Sequence, residues 1–376
     1  MSKSSREPRG RWPASFAYPL ALAVLSAWTL LATPLSPSAP GAVPNPDALI
    51  KAGHWKRARA TLDELCRADS GGARCAYWRS QVKDAFGDLD AALPLAEKAV
   101  QLDGGNAAYH YQLAQVCGET AENASFFKAA AWAKRFKAEA EQAASLDSRN
   151  TDARFALIEY YLQAPRLIGG SKDKAAAMAR EIAKIDPAQG YLAEARLAED
   201  RKDTAAEEQS YRKAVAANPR DYDALVALAA FCARDSVKKY GEAAKYARQA
   251  LEVDLGRVEA YSALSTASAA REDWSSLDSA LAEAARNVSD DFSPYYQAGR
   301  VLLENGQNLP RAERYFRKYL TQEPEGGAPS LAQAHWRLGL TLGKEGRKAD
   351  AVSELQTAVR LKPDLQEAKK DLDRLK

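Results

Sequence analysis

The chain has 376 residues, and its 53 Lys and Arg nearly balance 50 Asp and Glu, leaving a net charge of +3. That length allows two or three ordinary domains or one long repeat array. The near-neutral balance gives no electrostatic case for nucleic acid, which normally needs a concentrated basic face, and abundant Ala with sparse Ile and Val favours packed helices over sheet.

The N-terminus stands apart. Lys3, Arg6, Arg9 and Arg11 precede a stretch from Trp12 to Pro46 with no charged residue, within which Phe16 to Ala32 is apolar or small. Basic residues followed by an apolar run and then small residues have the order of an export signal. The run also approaches the lower limit for spanning a bilayer. Residues 1–33 are therefore expected to be a signal peptide or an N-terminal membrane anchor, its basic end in the cytoplasm. Any contact with a membrane is expected only through this segment, if it is uncleaved. Pro34, Pro37, Pro40, Pro44 and Pro46 make residues 34–46 a stiff linker.

After the linker, Gly53, Trp55, Ala58, Leu62 and Leu65 begin a helical pattern. Cys66 and Cys75 flank the turn-rich "RADSGGAR". Two helices meeting there would let the thiols pair in an oxidising compartment, the alternative being two separate buried thiols. Cys117 and Cys232 fall inside apolar helical stretches and are expected to be small core residues.

The next feature is self-similarity. "GDLDAALPLAEKAVQLDGG" (87–105) and "GRKADAVSELQTAVRLKPD" (346–364) share a Gly, an Ala-based helical pattern and a terminal Asp, Gly or Pro. Similar endings fall at Gly104, Ser148, Pro187, Pro219, Leu255, Ser289, Pro324 and Pro363, with spacings clustered near 34 residues and longer values at visible insertions. A period of this size marks an array of helix pairs. The third unit has a long second helix carrying Phe126, Phe127, Trp132 and Phe136, expected either to pack against the fourth unit or to dock a partner. The fourth unit contains "RLIGGSKDKAAA" from Arg166. A phosphate-binding P-loop needs G-x-x-x-x-G-K-[ST] after a strand, and neither is present. Ser171 is a good N-cap, so the stretch reads as a turn. The alternative is an anion loop in which Arg166, Gly169, Gly170, Ser171, Lys172 and Lys174 hold a ligand at a helix start.

Toward the C-terminus the pattern sharpens: Tyr261, Leu264, Leu277, Leu281 and Ala284; then Tyr295, Gly299, Leu302, Gly306, Ala312, Phe316 and Pro324; then Leu338, Gly339, Leu342, Gly346, Ala351, Leu355, Ala358 and Pro363. These residues resemble the tetratricopeptide repeat family. About nine units span 47–363, and the polar segment 364–376, with Leu365, Leu372 and Leu375 on one face, suits a capping helix. The resemblance implies an all-α, right-handed solenoid of stacked helix-turn-helix repeats whose first helices line a concave groove for a peptide or protein. Placed on the family pattern, the groove residues are Tyr111, Gln115, Phe155, Glu159, Ser262, Thr266, Tyr296, Arg300, Trp336 and Lys344. Arg300 and Lys344 form only part of the basic clamp some members use for a carboxylate.

No catalytic constellation emerges. His54, His110 and His335 lie in three distant repeats, too far apart in an extended stack for a metal site or a triad. Neither CxxC nor G-x-S-x-G occurs. The sequence thus leads to a non-catalytic interaction scaffold with no cofactor and no metal, its repeats outside the cytoplasm at a bacterial envelope. The alternatives are a small-molecule or anion binder using loop 166–174, or a regulatory subunit of an envelope enzyme complex.

Overall fold

The computed structural model describes residues 45–67 and 71–375; the expected signal or anchor and nearly all of the linker lie outside the described residues. Within these bounds the chain is all-α, and no helix is long and apolar enough to cross a membrane. It divides into two compact units, one of 57–210 with the helix before it, the other of 211–376 with the turn 52–56.

In the first unit, α1 (Pro46–Lys51) and α2 (Trp55–Leu65) are followed by α3 (Ala73–Ala85) and α4 (Leu89–Leu102), then α5 (Ala107–Asn123) and α6 (Phe126–Leu146). Next come α7 (Thr151–Gln163) and α8 (Lys172–Ile185), then α9 (Pro187–Asp200) and α10 (Thr204–Ala217). Starts are set by side-chain caps: Asn106, Asn150, Ser171 and Asp186 each accept a backbone N–H of the first turn, satisfying donors that the helix leaves open. The second helices bury small residues at helical spacing, such as Ala92, Ala96 and Ala99 in α4, so neighbouring helices approach closely. Cys66 and Cys75 are disulfide-bonded, with Cα atoms 5.7 Å apart, tying the end of α2 to the start of α3. Cys117 is a core thiol that burial pushes up to about 12, and Cys232 of the second unit is likewise buried.

The second unit runs through α11 (Tyr222–Ala233) and α12 (Tyr240–Val253), α13 (Val258–Ala270) and α14 (Trp274–Asn287), α15 (Ser293–Asn305) and α16 (Leu309–Tyr319), and α17 (Leu331–Lys344) and α18 (Lys348–Leu361), to α19 (Gln366–Leu375). Its packing explains the Gly positions. A Cβ on Gly339 would stand 2.8 Å from Leu355 Cγ, and one on Gly299 3.1 Å from the Phe316 ring. A first helix without a side chain there accepts the bulky residue of its partner helix. Leu302, Leu338, Leu342 and Leu355 are fully buried, each contributing about 2 kcal/mol by area removed from water. In α19, Leu372 is buried and Leu375 packs against the core, while Lys370, Asp373 and Arg374 face solvent.

Candidate partner-binding face

Which helices line the inner wall follows from who touches whom. In the first unit α3 packs on α5, α5 on α7 and α7 on α9, whereas no comparable contact joins α4 to α6 or α6 to α8 among the described residues. Successive first helices are therefore the closer set and form the inner face. In the second unit α11, α13, α15 and α17 touch in the same way.

Counting from each helix start gives a regular row on that face. The fifth residue of α3 is Tyr77, of α5 Tyr111, of α7 Phe155 and of α9 Tyr191. All four are half-buried, and Tyr77, Tyr111 and Phe155 pack against core residues. The ninth residues, one turn on, are Gln81, Gln115, Glu159 and Ala195. Thus Tyr111, Gln115, Phe155 and Glu159 stand in two rows, and Tyr77, Gln81 and Tyr191 extend them. Sequence reading passed over these last three because the family pattern was applied unit by unit. Counting residues from the N-caps finds them.

Acceptors dominate the same face. Asp84 accepts from Gln112 Nε2 at 2.9 Å through one oxygen, while its Oδ1 is buried with no partner, as are Gln81 Oε1 and Gln163 Oε1. Burial pushes the Asp84 carboxyl up to about 6. Glu119 is open to solvent yet crowded by protein, as in a recess, and that crowding with Asp84 and Glu122 pushes it up to about 8. Burial pushes the Glu122 carboxyl up to about 7. Burial and then Asp152 hold the Tyr111 hydroxyl well above the usual phenol range. Glu159 is different: Arg196 reaches it at 2.6 Å. Nearby, Gly118, Glu122, Phe136 and Tyr160 line a recess of about 20 Å³, room for about one water-sized group.

The expected groove residues of the second unit are mostly engaged. Tyr296 is 5% exposed, and its ring packs against Phe316 and Tyr319, so it belongs to the core and not to the groove wall. The reason is register: α15 starts at Ser293, making Tyr296 its fourth residue, and one residue turns a helical side chain by about 100°. Arg300 is tied to Glu304 at 2.7 Å and to Gln297 at 3.0 Å. Trp336 donates to Asp371 at 2.9 Å, and Lys344 donates to the Leu303 carbonyl at 2.7 Å. Ser262 and Thr266 are half-buried small groups on α13.

The glycine loop is a folded turn. Residues Arg166–Ile168 form a 3-10 turn, Gly169 has φ +106°, and a Cβ on Gly170 would lie 1.8 Å from the Ala164 carbonyl oxygen. The Tyr160 hydroxyl donates to the Ile168 carbonyl, and Ser171 caps α8. Lys172 pairs with Asp200 at 2.6 Å and Lys174 lies 5.6 Å from the Tyr161 ring centroid; Arg166 is exposed. The long α6 buries Phe136 and half-buries Trp132; the Phe126 and Phe127 side chains lie outside the described residues. Each histidine meets one carboxylate: His54 with Asp290 at 3.0 Å, His110 with Glu139 at 2.6 Å and His335 with Glu354 at 2.6 Å. Among the described residues no group of three or more His, Cys, Asp or Glu is placed to hold a metal ion.

Comparison with known proteins finds one repeat family at both ends of the array. The tetratricopeptide repeat model matches residues 47–107 and 296–365. No curated protein matches the chain with significance. Solved structures similar to it include a thermophilic TPR protein of Thermus thermophilus, with 16% identity, 50% of this chain and 94% of that one covered, and a TM-score of 0.43. Yeast Tom70 has 12% identity over 88% of this chain and 79% of that one, with a TM-score of 0.48. A tetratricopeptide repeat protein of Parabacteroides merdae has 14% identity over 81% and 98%, with a TM-score of 0.42. The family model meets both ends of the array, so residues 47–107 and 296–365 are tetratricopeptide repeats, and helix pairs fill the stretch between them.

Proposed function

We propose that the protein is a non-catalytic scaffold that binds a peptide or protein segment along the first helices and works at a bacterial envelope. The observation that carries the binding reading is the row of four half-buried rings at one helical position in α3, α5, α7 and α9. A side chain needed only for packing can be buried fully. One held half open in four successive repeats leaves a continuous surface able to take an elongated ligand. Interaction scaffolding is the general role of this repeat fold; the groove and the location are the finer reading. The apolar run behind Arg11 supports export, and the Cys66–Cys75 bond agrees with an oxidising compartment. The turn at 166–174 offers an anion few free donors, since Lys172 is committed to Asp200.

The test joins topology to capture. A C-terminal tag is probed with protease in cells whose outer membrane is opened and whose inner membrane is intact. The reading expects cleavage there. Crosslinked complexes are then compared between wild type and a Gln115→Ala, Phe155→Ser variant with an unchanged circular dichroism spectrum. A partner held by wild type and lost from the variant is expected. A protected tag would overturn the location, and equal capture would overturn the inner face.

A further inference from the structure

Most carboxylates that α-helices of the first unit bring next to one another have a cation at hand. Glu97 has Arg135 at 2.6 Å and Glu159 has Arg196 at 2.6 Å. Asp84, Glu119 and Glu122 do not: among the described residues none of the three forms an ion pair, and the charges that act on Glu119 are those of Asp84 and Glu122. They sit on α3 and α5, the helices of Tyr77 and Tyr111, with Asp84 and Glu119 about two turns further along, about 10–12 Å by helical rise. The unpartnered buried atoms Gln81 Oε1 and Asp84 Oδ1 on α3, and Gln163 Oε1 on α7, are acceptors. A buried acceptor left open is costly. The missing elements are therefore donors and positive charge. Aromatic faces add attraction for the same kind of group, because a cation over a ring is stabilised by its quadrupole.

Resting on the reading above, we propose that the inner face of the first unit takes an extended peptide segment carrying Arg or Lys side chains, its cations seated between the rings of Tyr77 and Tyr111 and the carboxylates of Asp84 and Glu119. Length favours a peptide over a small cation. Four successive first helices at about 8–10 Å per step span about 25–30 Å, the reach of about eight extended residues. The second unit has no equivalent row: the fifth residues of α11, α13, α15 and α17 are Val226, Ser262, Gln297 and His335. Selection for cationic segments thus belongs to the first unit.

The experiment uses the purified full chain and three fluorescein-labelled twelve-residue peptides, read by anisotropy. One alternates Arg and Leu with Gly spacers, the second replaces each Arg by the neutral isostere citrulline, and the third replaces each Arg by Glu. The Arg peptide is expected to bind at least about tenfold tighter than the citrulline peptide, weakening as salt rises through the range where the screening length falls to about 8 Å. The Asp84→Asn, Glu119→Gln variant is expected to lose about tenfold for the Arg peptide and nothing for the citrulline peptide. Tyr111→Leu, which keeps apolar bulk and removes the π face, should weaken the Arg peptide several-fold. Equal binding of Arg and citrulline peptides, both weakened by Tyr111→Leu, would overturn cation selection and leave the groove reading standing. Stronger binding of the Glu peptide, or binding of none of the three, would also overturn it. The groove reading itself fails only if the capture comparison above shows no dependence on Gln115 and Phe155.

Discussion

Asp84→Asn offers a test in which sign and size both follow from the structure. Asp84 sits half-buried on α3, with one oxygen held by Gln112 at 2.9 Å and the other without a partner. Burial raises its carboxyl from 3.8 to about 6. A group whose folded pKa lies above its unfolded value contributes stability that is present below the unfolded value and lost as pH rises through the folded one. The window here runs from about pH 4 to about pH 6, and the loss across it is about 3 kcal/mol. Asparagine keeps an acceptor for Gln112 and never ionises, so it avoids the loss. The variant should match wild type at pH 4 and exceed it at pH 7.5. For a unit of this size that is roughly 6–12 °C in melting temperature, at about 2–4 °C per kcal/mol. Thermal unfolding followed by circular dichroism at both pH values measures it, with amide exchange in α3 and α5 as the local check. Equal melting at pH 7.5, or a gain that grows in acid, would refute the reasoning. A stabilised variant that no longer binds a basic peptide also separates loss of ligand from loss of fold.

Other substitutions probe the scaffold. Phe316→Ala empties a fully buried site against Gly299 and should cost about 3–5 kcal/mol in urea unfolding of the second unit. Gly190→Ala would place its Cβ 2.4 Å from that of Ala183, and the overpacking should cost about 1–3 kcal/mol, seen as a lower melting temperature. The Cys66→Ser, Cys75→Ser variant loses a short closed loop and should lose about 2–3 kcal/mol, an effect that reducing agent reproduces in wild type but not in the variant. Lys172→Ala removes a largely exposed ion pair with Asp200, a change of under about 1 kcal/mol, and phosphate should shift the melting temperature of neither protein.

The helices were legible in the sequence because their signals are local. Asn106, Ser171 and Asp186 are capping residues by chemistry, Pro165 stops α7, and the Gly and Ala positions mark where helices touch. The shared position of Tyr111 and Phe155, fifth in α5 and α7, was legible because those helix starts are clear. In α15 the chain enters through Asp291–Phe292, and the start falls where the motif does not say, so Tyr296 was assigned to the wall when its ring fills the core. Commitments between distant residues were not legible at all. Nothing near Lys344 announces the Leu303 carbonyl, and nothing near Asp84 announces that one of its oxygens is left open. Both depend on how neighbouring repeats meet, which local pattern does not encode.

The most direct measurement places a photo-activated crosslinking amino acid at Gln115, on the inner row of α5, and separately at Ala138, exposed on α6, in cells making the full chain. A crosslinked partner at Gln115 and none at Ala138, with the contact mapping to a basic segment of that partner, is what this account predicts. Crosslinks at Ala138 and none at Gln115 would contradict it.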